Sequence, residues 1–430
     1  MTQSRFDLEQ AWAGTVPSHW HWSRNKELLA ESLSVSVEGT EELLSVSHLT
    51  GITPKSEKNV TMTAAENLDG YRLVATGDLV INTMWAWMGA LGVSKQAGIV
   101  SPAYGVYSPR PNAPFHPGFY DYLYRSNPYV MEMTRLSRGI WTSRLRLYPD
   151  VFLSMAIPVP PLEEQRTIAD YLNRETARID TLIEEQQRLV EMLRERRLAV
   201  ITESVVGAST ASRLVGDSAW YPSLPVGWGR GRVKSIATRV TDGAHISPDT
   251  DGGLFDFVST RDLNGGSIDF EGALKTTPET YEYMVKTGCQ PYDGDVLFSK
   301  DGTVGETAVV RGGHLFVVAS SLVIVSPDRE RMMSNYLAYV FASKTAREQA
   351  ASVMRGAGLP RLSVGNLARV EVPIPPLGEQ RGIAAYLDEQ TSKIDALIVE
   401  SERFIELARE RRAALITAAV TGQIDARAAA

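Results

Sequence analysis

The chain has 430 residues, 43% of them hydrophobic and 8% aromatic, with a formal net charge of −7 at pH 7. That length and apolar content predict two to four domains with real cores, and the net charge excludes a generally basic nucleic-acid coat. No run of about 18 apolar residues offers a membrane span, and the polar start Met1–Gln10 has no apolar leader, so a soluble, cytoplasmic protein with no membrane partner is expected.

One cysteine, Cys289, excludes an internal disulfide and a cysteine-rich zinc site. The six histidines are scattered, with no HExxH or helical i, i+4 pair, and no metal site is expected.

In chain order, Pro17–Trp20 (PSHW) opens a stretch of short apolar or alternating runs bounded by Gly, Asp and Asn. Residues 43–47 (LLSVS) and 77–82 (GDLVIN) read as strands. Trp85 and Trp87, two apart, read as one face of a further strand, more suited to a core than to a ligand. Lys95 and Gln96 lie in or just after the turn that follows the GDL strand, where a loop could enter a nucleic-acid groove; a solvated turn has the same composition. Residues 119–135 read as helical. Ser126-Asn127-Pro128-Tyr129 lacks one proline of the (N/D/S)PP(Y/F) motif of amino-methyltransferases, and no glycine-rich cofactor loop precedes it. Arginines 125, 135, 138, 144 and 146 then stand against Glu132 alone, a local basic stretch within an acidic chain.

Residues 158–207 are the constant part. Pro158, Pro160 and Pro161 set an extended lead-in. A long helix is expected after them, about 38 residues and roughly 57 Å at 1.5 Å per residue. Leu172, Ile179, Gln186, Leu193 and Val200 recur every seventh residue, with Leu182 and Leu189 at d positions and Ile183 and Val190 alongside. Residues 208–221 form a polar linker.

A second pass follows the first. Pro225–Trp228 (PVGW) answers PSHW. Residues 241–248 (TDGAHISP) form a loop that carries His245. Residues 295–299 and 322–326 read as strands, and Lys300 and Asp301 follow the GDV strand as Lys95 and Gln96 follow GDL. Gly302 and Gly305 read as a turn rather than a phosphate cradle. Residues 335–351 read as helical, and Lys344, Arg347, Arg355, Arg361 and Arg369 stand against Glu348 alone. Residues 373–422 then repeat 158–207 at a shift of 215, with roughly 28 of the 50 positions identical. The tail 423–430 is expected to fray. A unit of about 200 residues is too long for a solenoid repeat, so the chain is a duplicated pair of a variable and a constant part.

Phosphate loops (GxxxxGK[ST]), nucleophile elbows (GxSxG) and a GxGxxG after a strand are all missing from the sequence, so a binder with no active site of its own is expected. The fold class expected is α+β: two mixed α/β domains joined by two long antiparallel helices that form a coiled-coil spacer, with a pseudo-twofold internal duplication. The boundaries are 1–157, 158–207, 208–372, 373–422 and 423–430.

The doubled PxPPLxEQRxIAxYL, continued by T-x-x-ID-x-LI and RERR-x-A-x-IT, resembles the conserved regions of the specificity subunit of type I restriction-modification systems. The PxxW openings and the RG-x4-RL stretches at Arg138–Leu145 and Arg355–Leu362 are similar to that family's layout, and the resemblance covers residues 15–422. It implies that each variable part is a target-recognition domain reading half of a split DNA site, asymmetric because the two parts differ. It also implies that the helices dock two modification subunits, which carry the S-adenosylmethionine chemistry, and that restriction (translocase/endonuclease) subunits join through these. No cofactor is expected in this chain itself.

On that reading the DNA-contact candidates are Lys95, Gln96, Arg138, Arg144, His245, Lys300, Asp301, Arg355 and Arg361; for the arginines, bracing the junction to the helix is the competing role. Glu164, Gln165 and Arg166, with Glu379, Gln380 and Arg381, are the partner-docking candidates, and a helix cap with charges placed for the dipole would use the same residues. Two alternatives are a protein-only coiled-coil adaptor and a stand-alone modification enzyme fragment. Salt-dependent duplex binding separates the first from the expected function, and cofactor titration separates the second.

Overall fold

The structure is a computed structural model, and it describes residues 11–14, 16–57, 68–139, 145–354 and 361–425. The chain divides into two compact units, residues 1–186 with 403–430 and residues 187–402. The division falls inside the long helices, beside the polar Gln186 and Ser401 that interrupt their seams, rather than at the helix starts. Each unit thus owns part of both helices.

The first unit begins with β1 (His21–Arg24), a single helical turn at Asn25–Leu28, and β2 (Leu29–Glu31). Then come β3 (Leu44–Ser47), β4 (Gly51–Pro54), β5 (Arg72–Val74), β6 (Leu79–Ile81), β7 (Leu91–Val93), β8 (Gly98–Val100) and β9 (Gly105–Pro109). Helices α1 (Pro117–Tyr124), α2 (Asn127–Leu136) and α3 (Pro149–Ser154) follow, then β10 (Ala156–Val159) and the first long helix, α4 (Leu162–Val205). The main sheet has the order β2-β9-β6-β7. Its central strand β6 is buried along its whole length, as a run of three apolar residues between turns requires.

The expected helix over 119–135 is two helices. Pro128 sits in the first turn of α2, where its missing amide hydrogen costs nothing, so Ser126-Asn127-Pro128-Tyr129 is a helix junction. Tyr129 is fully buried there, and Asn25 Nδ2 donates to its hydroxyl at 2.8 Å. Asn25 Nδ2 also donates to the Phe152 carbonyl, and its Oδ1 accepts from the Tyr124 hydroxyl.

The second unit repeats the plan. After β11 (Arg213–Val215), in the expected linker, and its partner β12 (Ser223–Pro225), just beyond it, come β13 (Gly229–Arg232), a helical turn at Val233–Ile236, and β14 (Ala237–Asp242). Strands β15 (Phe255–Val258), β16 (Leu263–Asn264), β17 (Ser267–Ile268) and β18 (Leu274–Thr276) precede α5 (Pro278–Lys286). Then follow β19 (Val296–Ser299), β20 (Thr307–Val309), β21 (Phe316–Val318), β22 (Leu322–Pro327), α6 (Ser334–Ala342), α7 (Lys344–Val353), β23 (Glu371–Ile374) and the second long helix, α8 (Leu377–Val420). The sheet order β14-β22-β19-β20 reproduces that of the first unit. The expected helix over 335–351 again breaks, at Ser343, whose hydroxyl accepts from the Ala346 amide and caps α7. Cys289 is buried, as an apolar residue would be.

The repeated residues make the same joints in both units. The proline segments form β10 and β23, which pair antiparallel with β1 and β13, the strands that follow each PxxW. Gly422 and Gly207 end the long helices at φ +71° and +61°, the left-handed cap that favours glycine. A Cβ on Gly422 would strike Pro17, and one on Gly207 would strike Pro225, so each PxxW closes a helix end within its own unit. In the first unit Asp180 bonds Arg412 at 2.8 Å, and in the second Asp395 bonds Arg197 at 2.8 Å. These positions are equivalent in the repeat (180 + 215 = 395; 197 + 215 = 412), so the ID and RERR motifs are partners across the two copies.

Each helix has 44 residues, six more than expected. The seam is also displaced from the expected one. Ile183 and Val190 are buried at 9% and 5%, whereas Leu182 and Leu189 are 45% and 36% exposed. At about 100° per residue, Ile183 lies roughly 20° from Leu172 around the helix and Leu182 roughly 80° away, so the position after each supposed d residue faces the partner. Ile405 against Phe404 shows the same displacement in α8.

Candidate nucleic-acid interface

In the second unit, the antiparallel order of the main sheet brings the ends of β14 and β19 and the starts of β20 and β22 to one edge. Asp242 ends β14, and the loop Lys300–Glu306 leaves β19. Between them passes the turn from β21 to β22, and Lys300 N donates to Ser321 O at 2.9 Å. Gly243 is required at this crossing, since a Cβ there would overlap the Val318 and Ala319 carbonyls.

Four of the expected contact residues meet on this edge. Lys300 Nζ lies 3.3 Å from Asp242 and 3.7 Å from Asp301, with only 11% of its side chain exposed. His245 Nε2 is 2.8 Å from the same Asp242 carboxylate. Arg361 Nε is 3.6 Å from Asp301, and the backbones of residues 301 and 361 form an isolated antiparallel bridge. Burial separates their roles. Lys300 compensates two carboxylates that would otherwise be costly at such depth, and its ammonium is spent inside the protein. His245 and Arg361, with side chains 69% and 72% exposed, are the members that reach outward.

The matching edge of the first unit has other chemistry. After β6 the loop runs Asn82, Thr83, Met84, Trp85, and Thr83 O accepts from Leu147 N at 3.1 Å, as Lys300 O accepts from Leu362 N at 3.0 Å. Trp85 and Trp87 are not on a strand and not in the core. Trp85 precedes and Trp87 lies within a single turn of 3-10 helix at Ala86–Met88, and their rings stack at 6.3 Å with an interplanar angle of 18°. An alternating apolar run suits a strand, but this one is too short to pair and instead folds against α2. Arg138 is exposed and its backbone bridges to Arg146. Lys95 and Gln96 are one hairpin further on, in the turn between β7 and β8, so they are not the counterparts of Lys300 and Asp301. Arg144 and Arg355 lie outside the described residues.

The Glu-Gln-Arg clusters divide in the same way in both units. Gln165 is fully buried: its Oε1 accepts from His116 N, and its Nε2 donates to Pro114 O and Pro160 O. Gln380 does the same with Met333 N, Arg331 O and Pro375 O. Both amides clamp the loop before a helix to the start of a long helix, a structural use of residues expected to dock a partner. Glu164 sits 2.8 Å from His19 Nε2, and Glu379 accepts from Trp228 Nε1 at 2.9 Å. Arg166, paired with Glu163, and Arg381 are exposed.

Burial acts on titration away from this edge. Desolvation alone would push Asp256 up, but the bonds from Lys275 and His314 outweigh it and hold the carboxyl below its usual range. Among the described residues no helix is long and apolar enough to cross a membrane, and no group of three His, Cys, Asp or Glu could hold a metal ion.

The family described as "Type I restriction modification DNA specificity domain" matches residues 225–402. The chain is similar in sequence to type I restriction enzyme specificity subunits. It is 29% identical over 141 residues to a putative type I restriction enzyme specificity subunit of Haemophilus influenzae, a match covering 31% of this chain and 35% of that protein. It is 19% identical to the EcoBI specificity subunit of Escherichia coli (63% of this chain, 58% of that protein) and 22% identical to the EcoKI subunit (74% and 68%). The chain therefore spans less than two thirds of the first two relatives' lengths, 35% and 58%.

The fold is shared with solved chains from type I restriction-modification systems. A chain from a study of assembly and conformational transition of the type I R-M system aligns with a TM-score of 0.66 at 17% identity, covering 95% of this chain and all of that one. The HsdS subunit from Thermoanaerobacter tengcongensis aligns with a TM-score of 0.52 at 18% identity, covering 95% and 98%.

Proposed function

We propose that this chain is the DNA-recognition subunit of a type I restriction-modification complex, each compact unit reading one half of an asymmetric, two-part duplex target. The observation that carries this reading is a duplicated frame whose sheet-edge loops differ: the joints repeat residue for residue, while the loops carry Trp85 and Arg138 in one unit and His245 and Arg361 in the other. Arginine can read guanine in the major groove or hold phosphate, and histidine can donate to either. The chain supplies no catalytic group of its own, and methyl transfer from S-adenosylmethionine belongs to the modification subunits. Two of these dock on the repeated helices, where Arg166 and Arg381 stand exposed at equivalent positions, and restriction subunits join through them. The complex works on DNA in the cytoplasm.

The test is duplex binding by the chain with its modification subunit, followed by fluorescence anisotropy across a salt series. Tight binding to one split sequence, weakening as salt rises, is expected. A chain that joins the modification subunit but adds no preference for any duplex would instead be a protein-only adaptor.

A further inference from the structure

Resting on that reading, we propose that Trp85 is a specificity-determining residue of the first unit, making an apolar contact with the bases of its half-site where the second unit presents His245 and Arg361. Three observations converge on it. The loop carrying Trp85 is the positional counterpart of the Lys300 loop, since each follows the second strand of the four-stranded sheet and each accepts a backbone hydrogen bond from a buried leucine, Leu147 or Leu362. The indole is held ready. Trp87, on which it stacks, is fixed by Nε1 donating to Met84 O at 3.1 Å, and the Trp87 carbonyl accepts from Thr134 Oγ1 at 3.0 Å. Yet Trp85 itself is 49% exposed.

A single exposed apolar residue is ordinary on a protein surface. What distinguishes Trp85 is that a large, rigid ring, already ordered by stacking, lies on a loop bonded to the segment that carries two exposed cations, Arg138 and Arg146. The bridge between Arg138 and Arg146 continues directly into the Leu147 amide that bonds the loop. A duplex offers the complementary arrangement: phosphates for guanidinium groups, and the apolar parts of base edges, thymine methyl groups above all, for an indole. Ordering the ring before binding removes most of the entropy that a flexible side chain would lose.

The experiment uses the full chain assembled with its modification subunit, and duplexes altered in one half-site at a time. Trp85→Ala is expected to weaken binding to the intact target by roughly 5- to 100-fold, the range for loss of one aromatic contact with a base. Discrimination should fall in one half-site only, with the salt slope unchanged, because no phosphate contact is removed. Trp85→Phe should keep most of both. Wild-type affinity and discrimination in Trp85→Ala would overturn the assignment, as would equal losses in both variants accompanied by a lowered unfolding midpoint. A wild-type complex with no duplex preference would overturn the reading beneath it, so the two failures are distinguishable.

Discussion

The two units share a frame and differ at its edge. The loop after the second strand of the main sheet ends in a stacked tryptophan pair in one and in a Lys-Asp ion cluster in the other, while the clamps, caps and inter-helix ion pairs around them are the same. The lesson is that the repeated residues buried at these joints serve assembly of the fold. Gln165 and Gln380 look like surface motifs in the sequence because they sit among charges, yet each spends its whole amide on backbone groups of its own unit.

The comparison can be broken most forcefully at those glutamines. Gln165→Ala and Gln380→Ala should each cost about 3–4 kcal/mol, since three backbone groups lose their partner in a buried setting. Urea unfolding of the two variants should give similar losses; a large effect from one and none from the other would mean that the frames are not equivalent. A difference inside the frame is tested next. Asn25 of the first unit corresponds to Val233 of the second, so Asn25→Val imports one unit's residue into the other. It leaves the Tyr124 and Tyr129 hydroxyls and the Phe152 carbonyl without their bonds. A loss of about 2–3 kcal/mol is expected, visible as lowered hydrogen-exchange protection in α1 and α2 with the second unit's helices unchanged.

At the second unit's edge, Lys300→Met should cost about 2 kcal/mol by removing the largely buried ammonium from between Asp242 and Asp301, which would keep only the more exposed His245 and Arg361 as partners. Arg361→Ala, which removes an exposed head, should leave stability within about 0.5 kcal/mol and weaken duplex binding instead. Thermal melts and anisotropy on the same samples separate the two roles. The smallest effect belongs to the helix pairs. Arg197→Ala and Arg412→Ala should cost about 0.5–1 kcal/mol each, because their aspartate partners are close to half exposed.

Much of this frame was legible. The strands at 43–47, 77–82, 295–299 and 322–326 lie where apolar runs between Gly, Asp and Asn placed them, and the doubled PxPPLxEQR segments do begin long helices. What escaped the sequence was decided by tertiary packing. Trp85 and Trp87 have strand periodicity, but three residues of 3-10 turn packed on α2 override it. Lys95 resembles Lys300 in composition, yet the hairpin count that separates them is set by pairing of β7 with β6. Leu182 and Leu189 are apolar by type, but helix phase turns Ile183 and Val190 inward in their place. At the candidate interface, position in a loop did not tell the spent ammonium of Lys300 from the outward heads of His245 and Arg361; burial between two carboxylates did.

The most direct test of one frame with two different readers is to co-express the chain with its modification subunit and map methylated bases across the host genome. A split motif with two unlike halves, lost when this chain is deleted, is the predicted result. Methylation that persists without the chain, or a motif that is continuous or has identical halves, would contradict it.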